Sequence, residues 1–172
     1  MKHDEGLSLI ELIVIIAIMA VLVSVVGISI TVVSRQKVSN AASDVRGQFQ
    51  TAQTIAMSKD NCYMQIQTNG DDETVFTVYS SNNTVLDRVT VSNKINVSLH
   101  FGGSSVTMDS YSIVRIFYNR ESGAFERAYA CGGADPVTQL GSSIGIPSSI
   151  EFSNGSKSVS LRLTELTGKV SY

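Results

Sequence analysis

The chain lacks the features that would point to a nucleic-acid-binding protein or to an enzyme. Its 172 residues include no tryptophan, two histidines, and 13 basic against 15 acidic residues, for a net charge of −2. A nearly balanced charge gives no reason to expect a nucleic-acid partner. The sequence contains no nucleophile-elbow, P-loop or HExxH pattern, so we expect neither enzymatic activity nor a bound cofactor or metal.

Charge is scarce overall and absent from one long stretch. Charged residues make up 16% of the chain, whereas typical soluble proteins have about 25%. Residues 12–33 contain none, and residues 35–172 are polar and rich in serine. The composition therefore indicates a membrane-inserted segment that carries one water-soluble domain.

The uncharged stretch from Leu12 to Val33 has 22 residues. As a helix it would extend about 33 Å, enough to cross a hydrocarbon core of about 30 Å. A secretory signal peptide would be shorter, and its leading region would be more basic than residues 1–6. An ordinary anchor explains the length but not Glu11, because a carboxylate within an apolar helix costs about 2.5–3.5 kcal/mol on insertion scales.

A third interpretation accounts for both the length and the carboxylate. The string GLSLIELIVIIAIMA, from Gly6 to Ala20, resembles the class III signal of type IV prepilins and type II secretion pseudopilins. The resemblance implies that prepilin peptidase cuts between Gly6 and Leu7 and methylates the new N-terminus at Leu7, while the apolar helix stays on the protein. Glu11 then occupies the family's glutamate position, the fifth mature residue. Two positions depart from the family pattern: Leu7 replaces the usual phenylalanine, and Ile28 stands where many members have proline.

Cleavage would give Glu11 a cation to pair with. Leu7 and Glu11 are four residues apart, so they lie on one helical face, and the carboxylate can reach the ammonium of Leu7. We favour a pair with the ammonium of a neighbouring subunit. The alternative is an intrachain pair that only eases insertion, helped by the positive end of the helix dipole.

The resemblance also implies partners and a location. The partners are other pilin or pseudopilin subunits in a homo- or hetero-oligomeric filament, prepilin peptidase, an assembly platform protein and the cytoplasmic membrane. Arg35 and Lys37 follow the apolar stretch, so the positive-inside rule does not favour a cytoplasmic N-terminus. We follow the motif instead, because the peptidase acts on the cytoplasmic face. The N-terminus is then cytoplasmic, the following domain is extracytoplasmic, and the assembled filament is extracellular or periplasmic.

Two periodicities divide the chain. Apolar residues at spacings of three and four continue beyond Val33, which predicts one helix from Leu7 to Ser58, with an amphipathic second half. That face packs on the domain; a binding stripe for another protein is the alternative use. After Asp60 the period is two, which predicts an antiparallel sheet or sandwich. The predicted strands are Cys62–Thr68, Thr74–Tyr79, Val85–Val91, Ile95–Phe101, Ile113–Tyr118, Ala124–Ala130, Ser149–Phe152, Val159–Leu166 and Lys169–Ser171.

These elements predict an α+β, pilin-like protein with four regions. They are a leader at residues 1–6, a transmembrane or filament-core helix at 7–34, an amphipathic helical half at 35–60 and an all-β domain at 61–172. The globular part resembles the GspH/FimT type of pseudopilin in its Ala-rich helix, in the hairpin of residues 116–125 and in the ending of residues 159–170. That family usually has an arginine where this chain has Gln53, so a major-pilin role stays open.

The sequence therefore predicts a structural subunit, a minor pilin or pseudopilin, of a type IV pilus-like filament. The alternative is an uncleaved, single-pass anchored β-domain that acts as a binding or adhesion module. Cys62 and Cys131 are candidates for a disulfide in an extracytoplasmic compartment, and two separate buried thiols are the alternative. The acidic run of residues 71–73 is interpreted as a solvated hairpin tip rather than a weak cation site.

Overall fold

One long helix dominates the N-terminal third of the chain. The computed structural model describes residues 8–58, 61–108, 112–132 and 142–172, without the side chains of residues 24–31, 112, 131–132 and 142. Helix α1 runs from Leu9 to Met57 and continues without a break through Gly47. It begins after Ser8 and ends at Ser58, whose amide donates to the carbonyl oxygens of Thr54 and Ile55.

The described residues after α1 form two antiparallel sheets. The first sheet has the strand order β3-β2-β1-β6-β7-β8, and the second has the order β11-β10-β9-β4-β5. A single 3-10 turn, Glu165–Thr167, lies between the last two strands. The strands are β1 Cys62–Thr68, β2 Thr74–Ser80, β3 Val85–Val91, β4 Asn96–Phe101, β5 Ser104–Thr107, β6 Ser112–Tyr118, β7 Phe125–Gly132, β8 Ser142–Ile144, β9 Ser149–Ser153, β10 Ser158–Thr164 and β11 Lys169–Ser171.

The second half of α1 packs against both sheets. Its contacts fall on β1, β2 and β3 of the first sheet and on β9, β10 and β11 of the second. Between the sheets, the rings of Phe76 and Phe152 lie 6.1 Å apart. The helical side chains in this core recur every three or four residues: Val38, Ala42, Val45, Phe49, Ala52 and Ala56. The amphipathic face is therefore core, as the sequence analysis favoured.

The α+β class and the antiparallel sheets are confirmed, and two short strands were missed. All four residues of strand β5 are exposed, so it has no alternation of buried and exposed residues to detect. Strand β8 is only three residues long, within a stretch expected to be irregular, of which residues 133–141 lie outside the described residues. The predicted strand Val159–Leu166 ends two residues early, because the 3-10 turn leads to Gly168 with φ 63°.

Candidate functional site

Between residues 9 and 23, α1 exposes apolar side chains around its whole circumference. Four consecutive residues, Ile13 to Ile16, are 45–59% exposed, and Leu9 and Val23 are 76% and 70% exposed. Consecutive helical residues point about 100° apart, so no side of this segment packs on the β-domain. A helix that is apolar all round is stable only when something else surrounds it. The segment therefore requires an apolar environment from outside its own domain.

The predicted membrane span, residues 12–33, is described only in part at the level of side chains, because residues 24–31 are not included. When only the described residues are considered, no helix has both the length and the apolarity needed to cross a membrane.

Glu11 stands in the first turn of α1. Ser8 precedes the helix with extended φ and ψ of −65° and 143°, and its carbonyl accepts from the amide of Leu12 at 3.1 Å. The hydroxyl of Ser8 makes no capping bond, and Glu11 forms no ion pair with any described residue. A carboxylate at this position faces the positive end of the helix dipole, a contribution of about 0.3–1 kcal/mol. Gly6 and Leu7 lie outside the described residues, so the cleavage site and the Glu11–Leu7 pair stay predictions.

Buried hydrogen bonds fix the second half of α1 in the β-domain. The side-chain amide of Gln48 donates to the carbonyl of Phe76 at 3.0 Å, in the first sheet. The thiol of Cys62 lies 3.1 Å from the carbonyl oxygen of Ala52, and the hydroxyl of Tyr118 lies 3.4 Å from that of Phe49. Burial raises the pKa of Tyr118 well above its usual range, and the nearby Cys62 raises it further. This hydroxyl therefore keeps its proton and remains a donor.

Gln53 connects α1 to two turns that are remote from it in sequence. Its amide nitrogen donates to the carbonyl of Gly123 at 3.2 Å and to that of Thr167 at 2.7 Å. Gly168, next to Thr167, packs so closely on Gly123 that a Cβ would overlap the Gly123 carbonyl oxygen. Gln53 occupies the position where the GspH/FimT resemblance expects arginine, and the structure shows that this side chain joins the helix to the β6–β7 and β10–β11 turns. We call these four residues the Gln53 latch.

The predicted pairing of Cys62 with Cys131 does not fit the strand register. Cys131 lies opposite Ile113 of β6, and Ile113 lies opposite Gln67 of β1, five residues along the strand from Cys62. Strand geometry then separates the two Cα atoms by about 19 Å, whereas a disulfide needs about 4–7 Å. This register does not allow the predicted disulfide between Cys62 and Cys131. Sequence spacing could not exclude it, because the separation arises from which strands pair.

The acidic run of residues 71–73 and the pair of His100 and Glu151 lie on the surface of the domain. The amides of Asp71 and Glu73 donate to the side-chain oxygen of Asn69, as in a tight hairpin turn. Across the second sheet, His100 Nε2 and Glu151 Oε2 are 3.1 Å apart, and Ser158 also donates to Glu151. The bonds from Ser158 and His100 lower the pKa of Glu151. Among the described residues no group of three metal-ligating side chains occurs.

A polar cleft of about 390 Å³ lies at the start of β1, and no motif in the sequence predicts it. Its wall includes Arg115, which is 8% exposed, donates to Gln65 at 2.9 Å and stacks 5.4 Å from the centre of the Tyr63 ring. Arg127 lines the same cleft, and hydrogen bonding to Tyr129, together with the charge of Glu126, raises its pKa. The sequence places one arginine on each of two adjacent strands, but only the pairing of β6 with β7 shows that both arginines line this cleft.

The fold and the N-terminal geometry agree with the comparison to known families. The family model described as the prokaryotic N-terminal methylation motif matches residues 1–27. This motif is a type IV pilin-like signal. It indicates a precursor that is processed by prepilin peptidase, held at the membrane and then assembled with other pilin subunits. No curated protein and no solved structure matches the chain.

Proposed function

We propose that this protein is a structural subunit, a minor pilin or pseudopilin, of a type IV pilus-like filament. The observation that supports this most is the continuity of α1. The methylation motif of residues 1–27 includes the exposed apolar start of α1, and the same helix ends inside the core of the β-domain. One continuous helix thus links the signal region, from Leu9 onward, to the folded domain.

The mechanism follows from the two halves of α1. Before assembly, residues 12–33 hold the subunit in the cytoplasmic membrane, with the N-terminus in the cytoplasm and the β-domain outside. After cleavage, an assembly platform moves the helix into the filament, where the helices of other subunits surround it. Lipid chains and apolar helices are similar environments, so the transfer costs little free energy. The action is non-covalent polymerisation, and we propose no enzymatic activity and no cofactor.

Glu11 gives the bundle its register in this proposal. Its carboxylate neutralises the methylated ammonium of Leu7 on an adjacent subunit as each subunit enters the filament. An unpaired charge would be costly in an apolar bundle, so subunits are held where the two charges meet.

A second candidate function is an uncleaved, anchored binding module. The cleft that both Arg115 and Arg127 line favours it, because guanidinium groups suit a carboxylate- or phosphate-bearing ligand. The N-terminus of the protein extracted from membranes separates the two candidates. A chain of 166 residues (172 less the leader of six) that begins with a methylated Leu7 supports the filament subunit. An intact Met1 contradicts it and supports the binding module.

Substitution of Gly6 tests the cleavage position directly. We expect Gly6→Val to block processing, because a β-branched side chain crowds the carbonyl that the peptidase must approach. Full-length protein should then accumulate in membranes, as measured by mass spectrometry. Gly27→Val is the matched control, since it makes the same change away from the cleavage site, within the apolar segment, and it should mature. Normal maturation of Gly6→Val would show that the cut lies elsewhere.

A further inference from the structure

The end of the β-domain nearest the apolar segment carries basic side chains around α1. On one flank, the turn between β9 and β10 contacts the helix: Asn154 donates to the carbonyl of Ser34 at 2.9 Å, and Lys157 Nζ donates to the hydroxyl of Ser39 at 2.6 Å. This turn therefore places Lys157 beside the helix just after the apolar stretch ends.

On the other flank, Lys37 and Lys94 line one cleft of about 390 Å³. Hydroxyl and amide groups share its wall, from Ser34, Asn40, Ser92 and Asn154. Arg35 is exposed on the helix next to Ser34. None of the four cations, Arg35, Lys37, Lys94 and Lys157, forms an ion pair with a described carboxylate. We call these four residues the basic collar.

Helix geometry places the collar at a definite depth. Lys37 is four residues beyond Val33, which is about 6 Å along the helix axis. The polar headgroup layer adds about 5–8 Å on each side of the hydrocarbon core. When residues 12–33 occupy the hydrocarbon, Lys37 and the cleft that it shares with Lys94 therefore lie level with the lipid phosphates.

We propose that the basic collar binds the phosphate groups of anionic phospholipids while the subunit is anchored in the membrane. This inference rests on the proposed function, because residues 12–33 must lie in a bilayer. Ammonium groups with neighbouring hydroxyl and amide donors suit a phosphate, and the phosphates are present at this depth. The collar also gives a role to Arg35 and Lys37, which otherwise stand on the side that the positive-inside rule disfavours.

Carboxylates at the same end limit where the lipid can bind. Asp44 lines the cleft with the two lysines. The acidic turn of residues 71–73 lies next to the β3–β4 turn, since Asn93 donates to the carbonyl of Asp71 at 3.2 Å. These charges repel anionic lipid, so binding is confined to the flanks of α1. Removing Asp44 should therefore strengthen the preference for anionic lipid.

Because the chain contains no tryptophan, a single introduced tryptophan reports on its own surroundings alone. The full chain carrying Ser92→Trp, at the wall of the cleft, is reconstituted in phosphatidylcholine vesicles, alone or mixed with phosphatidylglycerol. Quenching of the tryptophan by spin-labelled headgroups is then compared for the zwitterionic and the anionic lipid. We expect stronger quenching by the anionic lipid. Lys37→Gln and Lys94→Gln should each reduce this preference about fivefold. Asp44→Asn should increase it.

The matched control is the pair Arg120→Gln and Lys169→Gln, which removes the same charge from the opposite end of the domain and should leave the preference unchanged. Equal quenching by the two lipids, or an equal loss in the control pair, would overturn the collar and leave the filament proposal intact. Absence of quenching by both lipids would overturn the membrane anchoring itself, and with it the collar.

Discussion

At the scale of single residues, Glu11 is the one charge in the described part of the apolar half of α1. It lies in the first turn and is exposed, without an ion-pair partner among the described residues. The helix dipole offsets only part of the cost of placing a carboxylate in an apolar environment. A cation supplied from outside the described residues would offset the rest, and this is the physical basis of the proposed intersubunit pair.

Glu11→Leu should separate membrane insertion from filament assembly. The substitution makes the helix more apolar, so insertion and cleavage should persist. Assembly should fall, because the neighbour's ammonium would enter the bundle unpaired, at a cost of several kcal/mol. Glu11→Lys should be more severe, since two cations would meet. The measurement is the ratio of sheared filament protein to mature protein retained in the membrane, scored per copy.

Glu11→Asp is the matched control, because it keeps the charge on a shorter side chain and should assemble better than either of the other variants. The intrachain alternative makes a different forecast: insertion or processing would weaken first, and any matured protein would assemble. Wild-type incorporation of Glu11→Leu would end the intersubunit hypothesis.

At the scale of elements, the Gln53 latch decides how the end of α1 meets the sheets. One side chain joins the helix to two turns, and Gly168 permits their contact because it has no Cβ and adopts φ 63°. The latch lies near the C-terminal end of α1, whereas Asn154 and Lys157 contact the helix near residues 34–39. The helix is thus held at both ends of its packed half.

Gly168→Ala should destabilise the domain far more than Gly155→Ala. Both glycines have positive φ, so both substitutions carry a similar backbone strain, typically about 1 kcal/mol. Only at Gly168 would the new Cβ overlap the Gly123 carbonyl, whereas nothing lies within 4 Å at Gly155. We expect an additional loss of about 1–3 kcal/mol at Gly168, measured as the difference in free energy of unfolding by urea. Equal losses would show that the turns separate without cost.

At the scale of the whole molecule, α1 and the two sheets share one core. Phe49 is fully buried, and its ring meets that of Phe125 edge to face at 6.0 Å. The helix therefore completes the β-domain rather than lying on its surface. A filament subunit built in this way would carry load from helix to domain through buried packing and not through a flexible linker.

Phe49→Ala should reduce the free energy of unfolding by about 3–5 kcal/mol, through lost burial and the cavity left behind. Leu166→Ala is the control, because Leu166 is 87% exposed, and its effect should stay within about 0.5 kcal/mol. Helical circular dichroism and tyrosine fluorescence, followed in the same titration, should change together. If the tyrosine signal survived after the helix had unfolded, the shared core would be disproved.

The sequence by itself determined the features that depend on neighbours along the chain. The cleavage motif, the position of Glu11, the length of α1 and the period-two strands follow from local spacing, because helix and strand geometry repeat over a few residues. The match of residues 1–27 to the methylation motif is the same kind of local information.

Only the tertiary structure decided which remote residues meet. Gln53 reaches Thr167 across 114 positions, Lys37 shares a cleft with Lys94, and the strand register moves Cys131 away from Cys62. Short edge strands such as β5 likewise form because a neighbouring strand offers hydrogen bonds, not because of their own pattern. These contacts depend on the order in which strands pair and on how the helix packs across both sheets, and the period of a single segment carries no information about either.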